Sequence, residues 1–96
     1  MTSIEDTQTE VTQLLKAKLP KAEVARVDVT DTIDSDGDPS LNIWIVFKAR
    51  PPKSDMRQAK AIVDELRTWL ANHGDERFPY FSFVTEQDEK ELSAIN

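Results

Sequence analysis

Three aspartates at alternate positions are the most conspicuous group of chemically active side chains in the chain. Asp34, Asp36 and Asp38 could present carboxylate oxygens together, and oxygens are the ligands that Ca²⁺ prefers. The helix-loop-helix calcium motif begins in the same way, but it requires glycine at its sixth position and glutamate at its twelfth. Counted from Asp34, those positions hold Pro39 and Ile45. The segment therefore predicts a turn without a specific metal site, and the sequence leaves weaker cation binding by the three carboxylates open.

No catalytic group of residues can be recognised in the chain, although catalysis by a pair of carboxylates stays open. The chain has no cysteine, which excludes a disulfide framework, a thiolate zinc site and a cysteine nucleophile. The single histidine, His73, precedes Gly74 at the predicted end of a helix, where an imidazole usually meets free carbonyl groups. Ser82, Asp75 and Glu76 do not have the spacing of a catalytic triad, and two glycines cannot make a glycine-rich phosphate loop. We predict a non-catalytic protein without a cofactor.

Acidic and basic side chains alternate in bands along the sequence. The 96 residues include 18 acidic and 12 basic side chains, which gives a net charge of −6. Residues 28–38 contain five aspartates and no basic residue, whereas residues 48–60 contain five basic residues and one aspartate. The negative net charge repels nucleic acid and anionic lipid at long range. The acidic bands favour a basic partner.

An amphipathic helix is predicted at the start of the chain. Ser3 and Asp6 have the spacing of a capping box, and apolar residues then recur with a helical period. Pro20 ends the pattern because proline lacks an amide N–H and disfavours helix in the residue before it. The helix is expected at about 3–18.

Two strands joined by a tight turn are predicted next. Apolar and polar residues alternate over 25–33 and again over 41–48, as in strands with one buried face. Asp31 falls on the apolar side of the first strand, so we expect fraying or a bulge there. The pair Asp36-Gly37 between the strands indicates a hairpin.

The remaining elements are a long helix, a third strand and a short final helix. Apolar residues at steps of three and four predict a helix at 55–72, capped by Ser54 and closed by Gly74. Aromatic and β-branched residues over 80–84 predict a strand. Thr85 is placed to cap a last short helix.

Together the elements predict an α+β domain in the order α-β-β-α-β(-α). Its expected architecture is a two-layer sandwich, in which both long helices pack on one face of a three-stranded sheet. The predicted core consists of Val11, Leu15, Leu19, Val27, Val29, Ile43, Ile45, Phe47, Ile62, Val63, Leu66, Leu70, Phe81 and Phe83.

The basic segment suggests an alternative function in RNA binding. A cluster of cations can contact phosphates. The order of elements resembles that of the type II KH fold, an RNA-binding arrangement of helix, strand, strand, helix, helix and strand. The Gly-x-x-Gly loop of that family is absent here, and the second helix is predicted to continue without a break. The residues of this alternative are Lys48, Arg50, Lys53, Arg57 and Lys60.

The leading prediction is a protein-binding module that uses the second face of its sheet. Trp44 and Val46 lie on the face of their strand that should be wet, beside Lys48 and near Arg26. Tryptophan and arginine are enriched among the residues that dominate binding energy at interfaces. Covering of Trp44 by Leu92 or Ile95 of the final helix is the structural alternative.

The sequence predicts one domain over 1–96, in which 86–96 is a possible frayed tail. No apolar run is long enough to cross a membrane, and nothing resembles a signal peptide. A cytoplasmic monomer or weak homodimer is therefore expected, with a protein partner and no membrane.

Overall fold

The computed structural model describes the backbone of residues 1–95 and the side chains of residues 1–93. Within those residues the chain forms four helices and three strands, and one of the helices is a single short turn. In chain order they are α1 (Ile4–Lys18), β1 (Val24–Ile33), β2 (Pro39–Phe47), α2 (Lys53–Met56), α3 (Ala59–Asn72), β3 (Phe78–Thr85) and α4 (Glu86–Ile95).

The first helix begins and ends where the sequence predicts. The Ser3 hydroxyl accepts a hydrogen bond from the amide N–H of Asp6 at 3.0 Å, which satisfies one of the free donors of the first turn. At the other end the amide of Leu19 still donates to the carbonyl of Leu15, and Pro20 then ends the helix.

Strand β2 lies at the centre of a mixed three-stranded sheet. It pairs antiparallel with β1, which places Val29 opposite Ile43, and parallel with β3, which places Ile43 opposite Phe81. The only shift in the β1–β2 register lies between Val24 and Arg26. The irregularity predicted at Asp31 is therefore misplaced, and the partner that accommodates this carboxylate is described below.

The hydrophobic core lies between one face of the sheet and the pair α1 and α3, which contact each other. This arrangement confirms the predicted α+β class and the packing of both long helices on one face. Leu41 is fully buried although the sequence did not place it in the core, whereas Val63, Phe81 and Phe83 are only partly buried. The remaining core residues are buried as predicted, and they are Val11, Leu15, Leu19, Val27, Val29, Ile43, Ile45, Phe47, Ile62, Leu66 and Leu70.

The helix predicted as continuous over 55–72 is broken, so that prediction is wrong. The amide of Gln58 donates to the carbonyl of Asp55, a bond to the third residue back that tightens the chain after α2. Helix α3 then starts anew at Ala59. Ser54 is not the cap either, because α2 follows Pro52 and has no side-chain cap. The apolar residues keep their helical spacing across the break. This spacing indicates which side of the segment faces the core, but it does not indicate whether the helix is continuous.

Helix α4 starts directly after β3. The amide of Thr85 donates to the carboxylate of Asp88 and the amide of Asp88 donates to the Thr85 hydroxyl, both at 3.0 Å. This reciprocal cap turns the chain without a loop, and the short final helix is confirmed. No helix among the described residues is long and apolar enough to cross a membrane.

Candidate functional site

The predicted docking residues lie on the sheet face away from the core. Because Val27 and Val29 point into the core, the alternation of a strand directs Arg26 to the other face, where it pairs with Val46 of β2. Trp44 is partly buried and Val46 is fully buried, although Val46 does not belong to the main core. The prediction that this face is open is therefore wrong at this end of the sheet.

Glu89 of α4 is the residue that joins the final helix to this face. Arg26 donates from both terminal nitrogens to the two oxygens of Glu89, with Nη1 at 2.8 Å from Oε1. The indole N–H of Trp44 donates to the same carboxylate at 3.2 Å. These hydrogen bonds, above all that from Arg26, lower the pKa of Glu89, and the bonds to Glu89 and Asp28 raise the pKa of Arg26. Two of the four predicted docking residues, Arg26 and Trp44, are thus already hydrogen-bonded to another part of the same chain.

The final helix reaches Trp44, as the structural alternative predicts, and Glu89 is a contact that the sequence did not indicate. Glu89 reaches the indole, while the Leu92 side chain is half exposed. The side chain of Ile95 lies outside the described residues. No pattern in the sequence pointed to Glu89, because the pattern of a strand does not show which distant element will cover its second face.

The five residues of the basic segment follow one another around one end of the sheet. Lys48 comes after β2 and its amide donates to the carbonyl of Glu23, just before β1. Arg50 lies 3.6 Å from Asp88, and Lys60 lies 3.0 Å from Asp64. The other three cations of the basic segment are exposed and form no ion pair among the described residues. These are Lys48, Lys53 and Arg57.

Two aromatic side chains are exposed on the half of this face that α4 does not contact. Phe78 and Tyr80 are alternate residues of the edge strand β3, and their ring centroids lie 4.8 Å apart. They are 39% and 45% exposed, whereas Phe81 and Phe83 of the other parity pack against the core. The sequence of β3 already contained this information. Side chains alternate between the two faces of a strand, so Phe78 and Tyr80 cannot face the core when Phe81 and Phe83 do.

Asp34 links the acidic hairpin to these aromatics. Its Oδ1 accepts from the amides of Asp36 and Asp38 at 3.0 Å each, and its Oδ2 accepts from the Tyr80 hydroxyl at 3.3 Å. The backbone bond from Asp38 is the main cause of a lowered pKa for Asp34. Because this carboxylate is committed to its own turn, the three aspartates do not converge on a common point. Within the described residues, no three acidic or histidine side chains are grouped as metal ligands.

Two open clefts border Tyr80. The larger has a volume of about 570 Å³ and lies between the hairpin and the start of β3, where Asp38 and Glu76 face the aromatic rings. The smaller, about 250 Å³, is lined by Asn42 and Ile33 on the other side of Tyr80. We call Phe78 and Tyr80, with the acidic side chains of Asp38 and Glu76, the aromatic–acidic surface.

The cations nearest to this surface are already engaged. Arg77 lines the larger cleft, but its side chain is only 6% exposed, and it is paired with Asp75 and Asp31. The guanidinium of Arg67 lies 4.9 Å from the centroid of the Phe78 ring, a cation–π geometry. The Phe78 ring thus already binds a cation. The carboxylates that line the cleft belong to Asp34, Asp38 and Glu76.

His73 has a structural contact. Its Nδ1 lies 2.7 Å from the carbonyl oxygen of Trp69 and its ring lies against the indole, with centroids 4.6 Å apart. This is the contact with free carbonyls at the end of a helix that the sequence predicts.

Comparisons of the chain with protein-family models, with curated proteins and with solved structures gave no match. The likeness to the type II KH fold is thus one of element order. The break between α2 and α3 supplies the two consecutive helices of that order.

Proposed function

We propose that this protein is a small non-catalytic binding module that docks a basic segment of a protein partner on its aromatic–acidic surface. The observation that carries the proposal is the pair of exposed rings, Phe78 and Tyr80, held side by side next to an acidic hairpin. The docking function predicted from the sequence is kept, but its centre moves away from Trp44.

The apolar part of this surface supplies contact area. Aromatic rings remove a large area from water when a partner covers them, and tyrosine is among the residues enriched at binding hot spots. Both rings belong to a strand that is paired with β2, so little backbone entropy is lost when the partner binds.

The acidic part of this surface selects the partner. Asp38 and Glu76 line the cleft, and the hairpin beside it adds Asp36, all exposed. Negative groups around an apolar centre raise the association rate of a basic segment and disfavour acidic ones. Arg67 above Phe78 shows the geometry that an arginine or lysine of the partner could adopt on the neighbouring ring.

The proposal is tested by selecting displayed peptides that bind the full chain and measuring their affinity by calorimetry. The selected peptides are expected to be basic, and the double variant Phe78→Ala/Tyr80→Ala should weaken their binding at least tenfold. The matched control is Lys48→Ala/Arg57→Ala at the other end of the sheet, which should bind as the unaltered protein does. Selection of acidic peptides, or equal losses in both variants, would contradict the proposal.

A second proposal, RNA binding by the basic segment, is favoured by the exposed cations in α2 and at its C-terminal end. Lys53 and Arg57 stand one helical turn apart and form no ion pair among the described residues. Titration with a pool of short single-stranded RNAs at low salt should then show binding that Lys53→Glu/Arg57→Glu abolishes. An absence of binding at low salt would exclude this function.

The cytoplasmic location stays a prediction.

A further inference from the structure

We infer that the surface beneath α4 is a second docking site, which takes an acidic helical segment of another protein in place of α4. We call this the covered surface, and it consists of Arg26, Trp44, Val46 and Arg50. It lies at the opposite end of the sheet face from the aromatic–acidic surface and does not depend on the function proposed for that surface.

The covered surface is built to receive a carboxylate. Three N–H donors, two from Arg26 and one from Trp44, converge on the carboxylate of Glu89. A guanidinium that meets both oxygens of a carboxylate fixes its orientation as well as its position. Arg50 adds a second cation 3.6 Å from Asp88, the neighbouring residue of α4. The site therefore binds one carboxylate directly and places a second cation near the carboxylate of the preceding residue.

The covered surface also has an apolar centre. Val46 is fully buried there, between Arg26 on one side and Val84 on the other, and the partly buried indole of Trp44 continues the patch. Tryptophan and arginine around a buried aliphatic residue form the composition of an interface hot spot. A partner that replaces α4 would thus gain contact area besides the ion pairs.

The contacts that Asp88 and Glu89 of α4 make with this surface are polar. Among the described side chains of α4, only Asp88 and Glu89 are partly covered, and the others from Glu86 to Ser93 are exposed. Ion pairs with exposed arginines contribute little to stability, and Arg26 and Arg50 are 47% and 76% exposed. Contacts of this exposed, polar kind open locally at low cost. The main advantage of α4 is its covalent connection through Thr85, which raises its effective concentration.

Replacing Glu89 should therefore make the surface available without changing the surface itself. The indole N–H of Trp44 is the reporter, because it donates directly to Glu89, and that of Trp69 in α3 is the internal reference. The probe is a synthetic peptide with the sequence of residues 85–96. Its control is the same peptide with alanine at the position of Glu89.

In ¹⁵N-labelled full-length Glu89→Ala, we expect the Trp44 indole resonance to leave its original position and the peptide to restore it saturably. The unaltered protein should need at least tenfold more peptide for any response of its Trp44 resonance. The same is expected of Glu86→Ala, which removes the same charge from an exposed site on the same helix. Trp69 should not respond.

Three results would overturn the inference. One is no saturable change in Glu89→Ala at millimolar peptide, and another is an equal response to the control peptide. The third is a change that follows the concentration of the protein itself or appears only with a single-stranded oligonucleotide, because the occupant would then be a second copy or a nucleic acid.

Discussion

The side chains of Asp75 and Arg77 form a buried ion pair where the chain passes from α3 into β3, with Oδ2 of Asp75 2.7 Å from Nη2 of Arg77. The Asp75 side chain is completely buried and that of Arg77 is 6% exposed. Arg77 also donates to the carboxylate of Asp31 on β1 and to the carbonyl of Thr2, whose amide donates to Asp75. One buried pair thus joins β1, the start of α1 and the entry to β3.

Removal of the charge from Asp75 should be strongly destabilising. Asp75→Asn leaves the buried guanidinium of Arg77 without its buried counter-charge, and breaking a buried pair from one side typically costs about 3–5 kcal/mol. We expect a loss of about 3 kcal/mol in the free energy of unfolding, measured by urea denaturation. The matched control is Asp31→Asn, which removes the same charge from a carboxylate that is 67% exposed, and it should cost less than about 1 kcal/mol. Equal losses in the two variants would contradict the role given to burial.

The same pair should make stability depend on acid pH. Hydrogen bonds from Arg77 and Thr2 hold the pKa of Asp75 well below its ordinary value of 3.8. A carboxyl whose pKa is lower in the folded state stabilises the fold fully above its unfolded pKa, and this contribution is lost as the pH falls. Between about pH 5 and pH 2 the unaltered protein should therefore lose more stability than Asp75→Asn. Chemical denaturation at a series of pH values measures this, and parallel curves would show that Asp75 is not responsible.

The structural relationships that the sequence predicted are local or periodic, and those it did not predict are distant. The cap at Ser3, the hairpin at Gly37 and the apolar stripes of α1 and α3 follow from residues within one or two turns of each other. Asp31 and Arg77 are 46 residues apart, and nothing near Asp31 reveals its partner. For the same reason the sequence does not decide between an open and a covered Trp44, because Glu89, which reaches the indole, is 45 residues away.

Asp34 should stabilise the hairpin through its own backbone. Asp34→Ala removes the acceptor of the Asp36 and Asp38 amides and of the Tyr80 hydroxyl, so we expect a loss of about 1 kcal/mol. For a domain of this length this corresponds to a decrease of about 4–8 °C in Tm, which thermal denaturation measures. The control Asp36→Ala, whose exposed side chain accepts none of these hydrogen bonds, should change Tm by no more than about 2 °C. If Asp36→Ala has the larger effect, the turn is not organised by Asp34.

Gly74 should be required for the backbone that closes α3. Its φ of 72° lies in the left-handed region, and a Cβ placed there would meet no atom within 4 Å. The cost of Gly74→Ala is therefore the conformational strain alone, about 1 kcal/mol in the free energy of unfolding. Gly74→Asn should cost less, because asparagine enters this region more readily. Urea denaturation of both variants tests this, and a larger loss in Gly74→Asn would contradict it.

Phe78 and Tyr80 should be dispensable for folding, as the proposed binding role requires. Both rings are about half exposed and lie on the face opposite the core, so Phe78→Ser/Tyr80→Ser removes little buried area. We expect a loss of no more than about 1 kcal/mol in the free energy of unfolding, since their hydrogen bond and cation–π contact are at the surface. Ile43→Ala on the opposite face of the neighbouring strand, at a fully buried position, should cost about 3 kcal/mol or more in the same urea experiment. A serine double variant as unstable as Ile43→Ala would mean that the two aromatics are part of the fold, and their exposure would no longer indicate a partner.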